Sequence, residues 1–181
     1  MKATTGPEDK RFLVFKVRAA TSEDAEELAR MRLALQQHMQ ASNPHLLPMS
    51  RQGIANLPKQ YRLHLENPMR RIIVAEDRSG VLIGMSMGMI ADRDDLQPPR
   101  CGRIDDVWVG SHWRRQGLAK QLVGNLVAFF ESKDVATVVL EYSVGNTEAE
   151  CAWNAIGFEP ILTVAVATPY QLRQRLQRSD A

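Results

Sequence analysis

The residues best equipped for chemistry are Arg114-Arg115-Gln116-Gly117-Leu118-Ala119-Lys120, which follow the apolar run Val107-Trp108-Val109. A short strand ends, a polar turn follows, and a glycine-containing segment opens an amphipathic helix. That order presents backbone N–H groups at the positive end of a helix dipole, with arginines beside them, so it makes a place for a phosphate or pyrophosphate. Many cofactors carry phosphate, and Gly117 by itself also suits an ordinary strand-to-helix turn. The loop alone therefore names no reaction.

A second pattern narrows the reading. Asn146 is followed three residues later by Ala149, seven later by Trp153 and eleven later by Gly157-Phe158. Gly157 alone would fit a left-handed residue ending a helix. Taken together, Arg114-x-x-Gly117-x-Ala119 after a Val107-x-Val109 strand, and then this second spacing, resemble the GNAT superfamily of acyl-CoA-dependent N-acetyltransferases. Its pyrophosphate loop reads Arg or Gln, two residues, Gly, one residue, then Gly or Ala. The resemblance spans residues 12–167 and its motifs are specific only after residue 103. It implies an α/β (α+β) GNAT fold, with a mixed central sheet of about six or seven strands flanked by about four helices.

The resemblance also implies roles. Val107, Trp108 and Val109 would offer backbone groups to the pantetheine arm of acetyl-CoA, as a neighbouring strand does. Arg115, Gln116, Gly117, Leu118, Ala119 and Lys120 would cradle the pyrophosphate through backbone N–H groups, with Arg114 and Arg115 adding charge. Asn146 matches a position that hydrogen-bonds the cofactor arm, and it equally suits the cap of a helix beginning at Thr147. Transfer to an amine needs a neutral nucleophile, because an ammonium with a pKa of about 10.4 has no lone pair. It needs a donor for the tetrahedral oxyanion, for which the backbone N–H of Val107 or its neighbour is the candidate. The departing thiolate gains from a proton.

Asp105 and Asp106 lie just before the cofactor segment. By the resemblance Asp105 is the catalytic residue, a base acting through water; the other reading pairs it with Arg103 or another cation. Strand alternation sends neighbours to opposite faces, so only one of the two is expected to look into the acceptor cleft. Trp153 departs from the family pattern, where tyrosine is common and protonates the thiolate. An indole N–H donates a hydrogen bond but is no usable acid. Either the thiolate leaves unassisted, or Tyr142, Cys151 or a water serves, or the protein is a weak enzyme; Trp153 also suits simple packing beneath the pantetheine.

These groups need a scaffold. The sequence predicts a strand over Phe12–Arg18 and a capping box at Thr21 and Asp24 that opens a helix with Ala25, Leu28, Met31, Leu35 and Met39 on one stripe. A helix over about 52–66 is expected to be interrupted near Pro58. Strands follow at 71–76 and 81–90 around a hairpin turn at Asp77-Arg78-Ser79-Gly80, then at 103–109. Leu118, Leu122, Leu126 and Phe129 form the apolar face of a helix ending near Ser132. A strand at 136–142, a helix at 147–155, a final strand at Phe158–Ala167 and a helical turn at 171–177 complete the order β-α-α-β-β-β-α-β-α-β. Residues 1–11 read as a tail before one domain over 12–181.

Composition sets the bounds. A chain of 181 residues with 44% hydrophobic content can bury a sizeable core. A net charge of +2 argues against a dedicated nucleic-acid binder. Cys101 and Cys151 form no CxxC pair, the four histidines show no metal spacing, and Ser143 lacks a GxSxG elbow, so neither a metal nor a serine hydrolase is expected. No signal segment or membrane span is read, which predicts a cytoplasmic protein without a membrane partner. The acidic loop with Asp92, Asp94 and Asp95 could attract a cationic acceptor or simply be solvated. The expected function is transfer of an acetyl group from acetyl-CoA to a primary amine of a small molecule or peptide in a ternary complex, with a homodimer implied by the family. Two other readings stay open: a non-catalytic acyl-CoA sensor of the same fold, and a nucleotide-binding α/β domain, which would lack the full GxGxxG fingerprint.

Overall fold

The computed structural model describes residues 15–95 and 97–178. The expected tail over 1–11, and the start of the opening strand at 12–14, lie outside the described residues. The described residues fall into two compact units, one drawn from 15–38 and 48–141, the other from 39–47 and 142–178.

The first unit is built on a five-stranded sheet in the order β1-β2-β3-β4-β5. β1 (Phe15–Ala19), β2 (Arg70–Asp77), β3 (Leu82–Asp92) and β4 (Arg100–Val109) pair antiparallel, and β5 (Thr137–Leu140) joins β4 in parallel. The β2–β3 turn forms as its residues require. The Asp77 carboxylate accepts the N–H groups of Ser79 and Val81, and Gly80 takes the left-handed φ of 82° that closes the turn.

Thr21 donates its N–H to Asp24, and the short turn Ser22–Asp24 leads into α1 (Ala25–Ser42). α2 (Arg51–Glu66) starts at Ser50, whose hydroxyl accepts the Gly53 N–H. Contrary to expectation, α2 runs unbroken through Pro58. The proline removes one backbone bond, while Leu57 and Tyr61 beside it are buried and hold the helix to the sheet.

Alternation along β3 sorts the two faces. Met85 and Met87 join Ile72 and Val74 of β2 in a core under Leu28 and Met31 of α1 and Leu57 and Tyr61 of α2. The intervening Gly84, Ser86 and Gly88 face α3 (Leu118–Glu131), whose Leu118, Leu122, Leu126 and Phe130 are buried. Ser86 donates its hydroxyl to the Leu122 carbonyl. Small residues on that face let α3 lie close to the strands, which fixes where its N-terminus points.

The second unit contains α4 (Thr147–Ile156) and α5 (Pro169–Arg178). Asn43 donates its side-chain amide to the Val144 carbonyl, and the buried Ser143 hydroxyl has no partner among the described residues. The expected final strand over 158–167 is not formed: the described residues hold five strands instead of six or seven, and five α-helices. Ile161, Leu162, Val164 and Val166 stand exposed. Their β-branched run satisfies strand propensity, but a strand also needs a partner for its backbone, and none of the described residues pairs with this segment. Pro169–Arg178 forms a ten-residue helix in place of a single turn.

Candidate active site

β5 pairs with β4 only from Cys101 to Ile104, opposite Thr137 to Leu140. Beyond that point β4 continues through Asp105–Val109 with β3 as its sole strand neighbour among the described residues. One edge of Val107, Trp108 and Val109 is thus free of strand pairing, in the segment expected to face the pantetheine. A cleft of about 210 Å³ opens where the strands part, lined by Arg103, Ile104, Asp105 and Glu141.

The ladder between β3 and β4 slips at this level. Met87 lies opposite Asp106 and Gly88 opposite Ile104, so Asp105 is an extra residue without a partner on β3. The bulge corrects the expectation that alternation sends the two aspartates to opposite faces, because an inserted residue breaks the alternation. Asp105 accepts from Arg70 Nη1 at 3.0 Å and Arg103 Nε at 2.5 Å. Asp106 accepts from Tyr61 Oη of α2 at 3.0 Å, and its other oxygen forms an ion pair with Arg32 Nε of α1 at 3.1 Å. Arg70 also touches the sulfurs of Met87 and Met89. Both carboxylates therefore look toward the α1–α2 face.

Their surroundings differ. Asp106 is buried, and burial pushes its carboxyl above the ordinary carboxylate range, with Arg32 and the Tyr61 hydroxyl pulling it back. Burial, with the Asp106 charge second, drives Tyr61 upward, so it remains a phenol. His64, whose ring meets Tyr61 edge-on, is lowered by burial and by Arg70 and so favours the neutral imidazole. Tyr61, Arg32, Arg70 and Glu141 were not singled out from the sequence. Each reaches the site across long sequence separations or from the residue just past a strand, and no short motif signals that.

The loop expected to hold the pyrophosphate takes a shape suited to an anion. Arg115 adopts a left-handed φ of 59° and Gly117 one of 80°. The first backbone bond of α3 runs from Gln121 N–H to the Gly117 carbonyl. The N–H groups of Leu118, Ala119 and Lys120 precede it, and no side chain caps the helix. A Cβ built on Gly117 meets nothing within 4 Å, so the space beside the backbone is open. Uncapped N–H groups, left-handed turns and open space fit a pyrophosphate. Gln116 braces the loop by donating to the His112 carbonyl at 2.8 Å. Arg114 turns inward: its Nε donates to the Val109 carbonyl at 3.1 Å and its guanidinium lies 5.0 Å from the Trp108 ring centre. Trp108 also meets His38 of α1 edge-on. Arg115 and Lys120 are exposed.

In the second unit, Asn146 caps α4, its Oδ1 accepting the Ala149 N–H at 3.1 Å. Trp153 packs edge-on against Phe158 at 5.8 Å, and Gly157 ends the helix with φ 111°.

Residues 32–158 match the model of the acetyltransferase (GNAT) family. No curated protein sequence is significantly similar to the chain. Among solved structures, a mutant of the BH1408 protein from Bacillus halodurans superposes with a TM-score of 0.74 at 16% identity, covering 84% of this chain and 98% of that one. Aminoglycoside N-acetyltransferase AAC(6')-Iy, in complex with CoA, gives 0.65 at 18% identity over 85% and 93%. Glucosamine-6-phosphate N-acetyltransferase from Arabidopsis thaliana gives 0.63 at 20% identity over 86% and 98%. The uncapped, glycine-led start of α3 beside a strand with a free edge is thus set in a fold these proteins share, and the chain belongs to the GNAT acetyltransferase family.

Proposed function

We propose that the protein is an N-acetyltransferase that moves an acetyl group from acetyl-CoA to a primary amine of a small molecule or peptide, by direct attack in a ternary complex. The observation that carries this reading is the joining of two features on one strand–loop–helix unit. The free edge of Val107–Val109 leads directly into the uncapped N-terminus of α3. Acetyl-CoA supplies an activated thioester carbonyl. The edge of β4 pairs with the pantetheine arm and offers a backbone N–H to the developing oxyanion. Arg115, Gln116, Gly117, Leu118, Ala119 and Lys120 hold the pyrophosphate. Arg114 supports Trp108 from below, and Asn146 and Trp153 contribute to the cofactor arm. Asp105, fixed by Arg70 and Arg103, takes the amine's proton through water, and Glu141 across the cleft favours a cationic acceptor. The reading is of a cytoplasmic homodimer that uses no metal and binds neither nucleic acid nor membrane.

A second reading has one observation in its favour. Trp153 rests on the Phe158 ring, and its indole is no acid for the departing thiolate, which suits a non-catalytic acyl-CoA sensor.

Calorimetric titration of acetyl-CoA, CoA and NAD separates these possibilities. One-site binding of acetyl-CoA with no heat from NAD supports the family cofactor, and thiol release with a panel of polyamine, aminoglycoside and peptide amines then supports the enzyme over the sensor. Binding of NAD with none of either CoA species overturns both readings.

A further inference from the structure

Asp106 has no part in the roles described above, yet it is among the most deeply buried charged side chains described, with 7% of its side chain exposed. An ionised carboxylate there is costly to desolvate, and an apolar residue beside Met87 would pack at lower cost. Its partners indicate what it does instead. One oxygen accepts from Tyr61 of α2 and the other forms an ion pair with Arg32 of α1. A single carboxylate thereby ties both helices of one face to the second residue of the β4 bulge.

The location of that tie is specific. Ile104 is the last residue of β4 paired with β5, Asp105 is the bulge residue, and Val107 begins the free edge. The cleft lined by Arg103, Ile104, Asp105 and Glu141 sits at the same level. A bulge leaves its extra residue unpaired and locally disrupts the ladder, so side-chain bonds there can help to fix its conformation.

We propose that Asp106 is a positioning residue for acyl transfer: by taking a hydrogen bond from Tyr61 and pairing its charge with Arg32 it holds the bulge so that Asp105 and the free edge of Val107–Val109 address one cleft. Asp106 itself touches no reacting atom. The inference rests on the acetyltransferase reading.

The test uses the full chain, its Asp106→Asn and Tyr61→Phe variants and the double variant, with acetyl-CoA and the panel amine that releases thiol fastest. Acetyl-CoA affinity is expected to fall only severalfold, because the strand edge that meets the pantetheine shifts while the phosphate loop lies outside this network. The kcat should fall by about 10²-fold in Asp106→Asn, the scale of a small misplacement of reacting groups. The double variant should lose no more than Asp106→Asn alone. A residue that served stability only would lower the melting temperature while leaving kcat per folded molecule unchanged. Wild-type kcat in Asp106→Asn, or additive losses in the double variant, overturns the inference. Should Asp106→Asn fail to fold, Tyr61→Phe, which removes a single hydroxyl, decides alone: an undiminished kcat overturns the proposal. A wild-type chain that binds no acetyl-CoA overturns the acetyltransferase reading and this inference together, whereas a normal wild type with unaffected variants overturns the inference only.

Discussion

Asp105 and Asp106 are consecutive on β4, yet both carboxylates face the helices α1 and α2, because Asp105 is an extra residue opposite no partner on β3. One is bound by Arg70 and Arg103 beside a cleft, and the other is buried under Tyr61 and Arg32. Two adjacent acids thus acquire different surroundings from a single slip in register, and the slip sits at the residue where β4 and β5 part.

The phosphate loop should be sensitive at Gly117 for a backbone reason. Its φ of 80° costs an L-residue about 1–2 kcal/mol, and a methyl group there would touch nothing. Gly117→Ala is expected to relieve that strain by turning the exposed loop out of its left-handed conformation, misaligning the N–H groups of Leu118 to Lys120. Acetyl-CoA affinity measured by calorimetry should fall by about tenfold, an energy of about 1.4 kcal/mol. Gly124, inside α3 with open space around it, provides the control. Gly124→Ala should raise stability by about 0.5–1 kcal/mol and leave affinity unchanged.

The two loop arginines should separate in salt. Arg115 is exposed at the mouth of the loop, whereas Arg114 is committed to the Val109 carbonyl and the Trp108 face. Arg115→Ala should weaken acetyl-CoA binding at low ionic strength, and the loss should shrink as salt brings the screening length to about 10 Å near 0.1 M. Arg114→Ala should lower the melting temperature and change affinity by a factor that does not depend on salt. Titrations at two salt concentrations, with thermal denaturation of each variant, check both.

The strand–loop–helix unit was legible because its signals are local. Val107 to Lys120 is a continuous run in which apolar alternation, a glycine and a helical stripe follow one another. The bulge was not legible, since it is a property of how β4 meets β3 and leaves no mark in the β4 residues themselves. The partners of Asp106 come from two helices far away in sequence, one read as a core-facing stripe and the other as a helix interrupted near Pro58. At the other end, Ile161 to Val166 has the composition of a strand but no paired neighbour among the described residues. Propensity is read within a segment, whereas pairing depends on a second one.

Acid should weaken the junction between β1 and α1. Asp24 accepts from both Arg18 Nη atoms, at 2.8 and 2.9 Å, and from the Thr21 N–H at 2.7 Å, and the Arg18 bonds hold its carboxyl below the ordinary range. A lowered folded-state pKa contributes stability that is complete above the unfolded value of about 3.9 and is lost as pH falls through the folded one. Asp24→Asn should therefore cost about 1–3 kcal/mol at pH 7, as hydrogen bonds to a charged group do. The gap between wild type and variant should close as urea denaturation is repeated below about pH 4.

The closeness of α3 to the sheet rests on one ring above two glycines. A Cβ on Gly88 would come 2.8 Å from Phe130 Cζ and 3.1 Å from the Arg103 carbonyl oxygen, and one on Gly102 would lie 3.0 Å from the same ring. Gly88 and Gly102 are on neighbouring strands, so Phe130 occupies a hollow that only the absence of side chains provides. Gly88→Ala and Gly102→Ala should each destabilise by about 1–3 kcal/mol, the usual cost of overpacking. Both press on one ring, so once either has displaced Phe130 the other should cost less, and the double variant should fall short of the sum. The displacement should also reach the site, because Phe130 anchors the far end of the helix whose N-terminus is the proposed phosphate cradle. Acetyl-CoA affinity in folded Gly102→Ala should fall severalfold, while Gly124→Ala on the same helix leaves it unchanged. Equal affinities in the two variants would mean that the loop is held by Gln116 and Arg114 without help from the packing of α3.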